Sequence, residues 1–280
     1  MKLGIVLDSL KLPLPKGIAV AGELNVDGVQ AYATSGAFSP DNLTESDKAY
    51  YKNLLKENGL IFSALCADMG GYGFQIEKDN PDRIAKTKRI IDLAAEFGAK
   101  AITTHIGVIP SDKTEPRYKI MLDALTECGL YAESKGITMA IETGPESAAT
   151  LKAFLDDTKG GVGVNLDPAN FVMVTDQDPA EAVYLLKDYI VHTHVKDGVM
   201  LKKTDPKIIY DHFAKGGIDD LNTRDYFKET PVGQGNVDFK SYIKALKDIG
   251  YDGYLTVERE TGDDPKADIA AALDYVAKFL

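Results

Sequence analysis

The sequence predicts a single (β/α)₈ TIM barrel spanning residues 1–280. Three observations predict it. Short β-branched runs alternate with helix-like segments along the whole chain, giving eight βα units. No linker or low-complexity stretch divides them, and 280 residues suit one such barrel. The rival, an open doubly wound sheet, calls for a G-x-G-x-x-G turn after its first strand, and Asp8–Lys11 lacks it.

Leu3–Leu7 reads as the first strand, with a helix near Lys16–Leu24. Gly28–Tyr32 is the second, followed by a helix over Thr44–Asn58. Thr44 is its expected N-cap, Asp47 stands three residues on, and Gly59 is the stop. Leu60–Cys66 is the third strand, and Pro81–Phe97 its helix, with Asn80 as expected cap and Gly98 at the end. Ala99–Thr104 precedes a helix over Pro116–Lys135 closed by Gly136. Ile137–Ile141 and Gly161–Leu166 are strands five and six, with helices at Ser147–Asp157 and Pro179–Asp188. Ile190–Val195 is the seventh strand. Residues 198–236 then break the rhythm as a long polar loop with one helical piece near Pro206–Lys215. A loop of that length in a compact domain is usually functional, so it is expected to cover the barrel mouth, with Tyr210, Phe213, Tyr226 and Phe227 as an apolar cover. Helix Asp238–Asp248, strand Gly253–Val257 and helix Pro265–Phe279 complete the series. The Gly233-Gln234-Gly235 turn follows no strand and is expected to be a plain turn, with an anion site at the next helix as the lesser alternative.

The formal net charge of −11 disfavours a nucleic-acid partner, and no Lys/Arg run offsets it. The apolar runs are strand-sized, so no membrane span is expected. Cys66 and Cys128 form no metal or redox spacing. A cytoplasmic location is expected.

The chemistry lies where strands stop. Active sites of such barrels lie at the C-terminal strand ends. Strand four ends at His105, five at Glu142, six at Asp167, and eight at Glu258. Strand seven reads I-V-H-T-H-V-K-D. Alternation puts His192, His194 and Lys196 on one face and Val191, Thr193 and Val195 on the other. Two glutamates, one aspartate and one histidine make an N/O donor set suited to one divalent ion, Mn²⁺ first, with Mg²⁺, Co²⁺ or Zn²⁺ as alternatives.

Several motifs carry a resemblance. They are Glu142 at its strand end, L-D-P-A-N at Leu166–Asn170, H-V-K-D at His194–Asp197, G-Q-G-N-V-D-F at Gly233–Phe239 and Y-D-G-Y-L-T-V-E at Tyr251–Glu258. Over essentially the whole chain, the pattern resembles the xylose isomerase-like superfamily of sugar phosphate isomerases and epimerases. The resemblance implies a metal-dependent isomerase or epimerase acting on a sugar or sugar derivative. It implies Glu142, Asp167, His194 and Glu258 as metal ligands, with the two glutamates as acid and base. Asn170 stands where the epimerases and the related endonuclease commonly carry a histidine. Met200 lies near the position of the epimerases' substrate arginine.

The reaction expected is proton transfer next to a carbonyl through an enediolate. His105, Asn170, His192, Lys196 and Cys66 are expected at the substrate. Lys196 as the partner of a barrel-top carboxylate such as Asp197 is an equal alternative, and a small buried core role is the preferred reading of Cys66. An inosose or keto-sugar dehydratase is the rival reaction, and a non-catalytic sugar-binding barrel the rival class. Further copies of the chain are an expected partner besides the sugar.

Overall fold

The computed structural model describes residues 1–217 and 221–280. The chain alternates β1 (Lys2–Val6), α1 (Leu14–Glu23), β2 (Gly28–Tyr32), α2 (Glu45–Glu57), β3 (Phe62–Cys66), α3 (Asn80–Phe97), β4 (Ala101–Thr104), α4 (Pro116–Ser134), β5 (Thr138–Glu142) and α5 (Ala148–Asp157). It continues with β6 (Val162–Leu166), the single turn α6 (Pro168–Asn170), a π-helical turn at Phe171–Thr175, α7 (Pro179–Leu185), β7 (Ile190–Val195), β8 (Asp197–Met200), α8 (Pro206–Ala214), β9 (Phe227–Thr230), α9 (Phe239–Asp248), β10 (Tyr254–Val257) and α10 (Pro265–Ala277).

Eight parallel strands close into a barrel, in the order β1-β10-β7-β6-β5-β4-β3-β2. Neighbours in sequence are neighbours in space, as right-handed βα crossovers require. The core lies between the strands and the helix ring, where Ile90, Leu125, Phe154, Tyr242 and Val276 are sealed. Among the described residues, no helix is long and apolar enough to cross a membrane.

The helix signals act as physical stops and starts. Thr44 and Asp47 form a reciprocal capping box at α2. Gly59 and Gly98 take the left-handed conformation, φ +68° and +78°, that ends α2 and α3. Asn80 differs from expectation. It is the first residue of α3 and no cap; its Nδ2 donates to the Phe74 carbonyl at 3.1 Å and ties down the preceding loop.

The long loop differs as well. Its two ends pair as a two-stranded antiparallel sheet, with Asp197 opposite Thr230 and Met200 opposite Phe227. This ribbon continues from β7 and carries α8 as an excursion between its strands. Residues 218–220 of this loop lie outside the described residues. The Gly233–Gly235 turn does hold an anion, but it is the chain's own. The N–H groups of Gly233 and Gly235 each donate to Asp197 Oδ2 at 2.9 Å, and Val237 N–H donates to Oδ1 at 3.1 Å. A Cβ at Gly235 would stand 2.2 Å from Asp197 Oδ1, so only glycine lets this approach occur. Asp197 is therefore a structural clasp, and the carboxylates that Lys196 meets are Glu258 and Glu260.

Candidate metal centre

Glu142 ends β5, Asp167 follows β6, His194 lies in β7 and Glu258 follows β10. The barrel brings one ligand atom of each within 4.8 Å of the others, and all four residues are buried. His194 Nδ1 is central, lying 3.4 Å from Glu258 Oε2, 3.5 Å from Glu142 Oε1 and 3.6 Å from Asp167 Oδ2. Donors about 2.1 Å from one ion stand about 3–3.5 Å apart, so this spacing is that of a coordination shell. His194 Nδ1 and Asp167 Oδ2 have no hydrogen-bond partner. Buried polar atoms left bare are costly, and two of them converge on one point. The donor chemistry, the spacing and the bare atoms all fit a divalent ion.

A lower layer fixes how His194 presents itself. Gln30 Nε2 donates to Thr103 Oγ1 at 3.2 Å, which turns Gln30 Oε1 toward His194 Nε2 at 3.1 Å. Asn165 Nδ2 also lies 3.2 Å from Nε2; the Gln30 carbonyl can only accept, so a proton on Nε2 is held by Gln30 and leaves the Nδ1 lone pair facing upward. His192, one layer down, donates from Nδ1 to Asn165 Oδ1 at 2.9 Å and accepts from Thr256 Oγ1 at 3.1 Å. Asn165 Nδ2 in turn donates to Glu142 Oε2 at 3.3 Å. The strand registers shift between Val29 and Gln30 and between Val164 and Asn165, and such irregularities re-aim side chains. Gln30 and Asn165 both stand at these breaks.

The electrostatics follow the geometry. Burial opposes a charge on His194, but Glu258 and Glu142 raise its pKa well above the usual imidazole range. A proton therefore competes with an ion for Nδ1. Burial, reinforced by His194, lowers His192 well below that range and keeps it neutral. Burial would raise Glu258, yet Lys196 and His194 outweigh it and hold its carboxyl well below the ordinary range. Lys196 Nζ is 2.9 Å from both Glu258 Oε2 and Glu260 Oε2, and 4.0 Å from Asp167 Oδ2. His105 Nδ1 meets Asp68 Oδ2 at 3.0 Å, and its Nε2 lies 3.9 Å from Glu142 Oε1. Burial works against protonation of His105, but Glu142 and Asp68 raise its pKa to about 10.

A cavity of about 260 Å³ is lined by two of the four donor residues, Glu142 and Glu258. His105, Asn170 and Lys196 line it, whereas His192 and Cys66 are absent from its walls. His192 is satisfied beneath the centre, and Cys66 is a sealed core residue at the end of β3. Asn170 is tied by its Nδ2 to the Thr143 carbonyl at 2.9 Å, so it braces the β5 loop as well as facing the cavity. Tyr210, Phe213 and Phe227 roof it; Tyr226 does not, and its carbonyl instead accepts from the Leu201 and Lys202 amides. Tyr32, Asp68 and Gln75 also line it and escaped the sequence reading. Tyr32 ends β2 and Asp68 follows β3 by two residues, so the strand-end rule that found His105 and Glu142 would have found both.

Residues 18–279 match the family described as xylose isomerase-like TIM barrel. The chain belongs to this family. A solved xylose isomerase domain protein from Planctomyces limnophilus superposes with TM-score 0.78 at 25% identity, covering 99% of this chain and 95% of the other. An inosose dehydratase from Clostridium perfringens is 26% identical over 59% of this chain and 53% of its own length. An L-ribulose-5-phosphate 3-epimerase from Escherichia coli is 44% identical over 31% of this chain and 23% of its own. The matches to the dehydratase and to the other curated relatives of similar rank span a little over half of those proteins.

Proposed function

We propose that this protein is a divalent-metal-dependent sugar isomerase or epimerase. One observation carries the reading: two bare buried donors, His194 Nδ1 and Asp167 Oδ2, converge between the carboxylates of Glu142 and Glu258 at a sugar-sized cavity. A bound divalent ion, Mn²⁺ as first choice, would polarise a substrate carbonyl and its neighbouring hydroxyl as a Lewis acid.

The chain's own groups do the proton work. Glu142 and Glu258 come from strands on different sides of β7 and reach the substrate carbon from two directions. One removes the proton beside the carbonyl and leaves an enediolate; the other returns a proton on the opposite face for epimerisation, or at the next carbon for isomerisation. Lys196 now holds Glu258 as a weak base. When its ammonium turns to a substrate oxygen, Glu258 loses that stabilising charge and becomes a stronger base. His105, carrying a proton beside Glu142, orients a substrate hydroxyl and steadies the carboxylate. The roof from α8 and β9 excludes water from the enediolate.

A sugar panel incubated in D₂O with Mn²⁺ and followed by NMR tests this reading. Solvent deuterium in a sugar carbon next to the carbonyl is the expected result. No exchange in any sugar would leave a non-catalytic sugar-binding barrel. The similarity to an inosose dehydratase supports a second reading, in which the same proton removal is followed by loss of a β-hydroxyl. The same spectra would then show an unsaturated product.

A further inference from the structure

We propose that the cavity takes a neutral, unphosphorylated polyhydroxy ketone of monosaccharide size and rejects sugar phosphates, an inference that rests on the isomerase reading above. The cavity's charge inventory carries it. Asp68, Glu142, Asp211, Glu258 and Glu260 line the walls, and Asp167 stands among the four donors. Against these six carboxylates the described lining offers only Lys196 and His105 as cations, and no arginine; from outside the lining Lys207 pairs with Asp211.

Both cations are already engaged. Lys196 bridges Glu258 and Glu260, and His105 lies between Asp68 and Glu142. Three residues of the roof loop lie outside the description, and they are Ile218, Asp219 and Asp220, with no positive charge to add. A divalent ion would bring two positive charges to a donor set holding three carboxylates. The field inside is therefore negative with the ion in place, and a buried field is poorly screened by salt.

Proteins hold phosphate with arginine forks, lysines, helix N-termini or clustered backbone N–H groups. The lining holds no arginine, and its one lysine is held between two carboxylates. Arg83 stands beside the glycine loop, but its Nη2 donates to the Gly70 carbonyl at 2.9 Å. In that loop the Gly70 N–H is taken by Asp68 Oδ1, the Phe74 N–H by the Ile106 carbonyl and the Gln75 N–H by the Tyr72 carbonyl. The helix turn that starts among the donors is capped by Asp167 itself, which accepts from Ala169 N–H at 2.7 Å. A dianionic phosphate would exchange its hydration for carboxylates.

The apolar part of the lining points the same way. Met173, Val174, Ile209, Phe213 and Phe227 form an apolar roof. That surface suits the C–H face of a small sugar, with its hydroxyls donating to the carboxylates below. The volume of about 260 Å³ is at or below the small end of ligand sites, which admits one sugar unit.

The test compares binding of sorbitol and sorbitol 6-phosphate to the Mn²⁺-loaded protein by calorimetry, which needs no turnover. Sorbitol is expected to bind at least about tenfold more tightly than its phosphate. Phosphate binding equal to or tighter than sorbitol would overturn the proposal, as would failure of both to bind. In a second arm, Glu260→Arg removes one carboxylate from Lys196 and adds a cation at the cavity wall. It should strengthen sorbitol 6-phosphate binding about tenfold, and no gain would overturn the electrostatic cause. Sorbitol binding without deuterium exchange in any sugar would sink the isomerase reading and leave this one standing.

Discussion

His192 and His194 stand two residues apart on β7, both facing the barrel interior and both sealed from solvent. Their surroundings separate them. Each ring nitrogen of His192 has a neutral partner, in Asn165 and Thr256. His194 has partners at Nε2 only, and its Nδ1 faces three carboxylates at 3.4–3.6 Å without forming a hydrogen bond to any of them. A histidine on the inner face of a strand is therefore structural or ligating according to whether its hydrogen-bonding capacity is filled. Sequence position does not decide it. The lower layer's histidine is satisfied as it stands, and the upper layer leaves His194 Nδ1 and Asp167 Oδ2 bare.

Breaking the upper layer should have the largest effect. Glu142→Gln and Glu258→Gln are each expected to lower turnover by about 10³-fold or more, because an amide neither takes a proton nor ligates as a carboxylate does. Circular dichroism should show the fold intact, since a glutamine at 142 keeps an oxygen that can accept from Asn165 Nδ2 as Glu142 Oε2 does. Activity near that of the unaltered protein would remove the residue from the mechanism.

The link between the layers should be next in size. Gln30→Leu removes the acceptor that keeps the proton of His194 on Nε2. Loss of such a partner typically weakens metal binding by about 10–100-fold. Titration with Mn²⁺ should show this loss, against about one ion per chain in the unaltered protein. Unchanged affinity would show that the imidazole needs no such partner.

His192→Leu attacks the lower layer alone. It strands Asn165 Oδ1 and the Thr256 hydroxyl, at a cost of about 1–3 kcal/mol. Urea unfolding should register that loss while the protein still takes up an ion. The reverse pattern, full stability with no metal, would mean that His192 belongs to the centre after all.

How much of this was legible beforehand follows the range of the interactions. The barrel and the ends of strands four to eight show in local alternation, because a titratable residue where an apolar run stops is visible within a few positions. Tyr32 hid because tyrosine is itself a good strand residue. Gln30 and Asn165 read as ordinary polar residues within strands. Their meaning depends on partners such as His194, 164 positions from Gln30, and on register breaks that no short window reveals. The β8–β9 ribbon escaped for a related reason. Each strand is four residues long, and its partner lies across the whole α8 excursion. His192 was expected at the substrate because it faces inward near a strand end, which does not by itself bring a side chain to the cavity wall, while Cys66 is buried as its core reading expects.

The sharpest limit on the comparison belongs to Glu146. Its Oε2 is also buried and bare, as His194 Nδ1 is, yet no cluster of donors surrounds it. A lone bare carboxyl lowers its cost by keeping a proton. Burial accordingly raises its pKa to about 8 from the ordinary 4.5, against the opposing pull of backbone N–H groups and His105. Below the ordinary value both folded and unfolded chains hold this proton, so it adds no pH dependence. Between the two values the folded chain binds a proton that the unfolded chain has released, so stability falls as pH rises toward 8. Above that the contribution is flat. The slope from this one group is at most about 1.4 kcal/mol per pH unit. Glu146→Gln keeps the shape and removes the titration. The variant should match the unaltered protein in urea unfolding near about pH 5 and exceed it progressively toward about pH 8. A stability difference that stays constant across that range would mean that Glu146 is ionised in the folded chain. A bare buried oxygen would then mark a ligand site even without neighbours to share the ion.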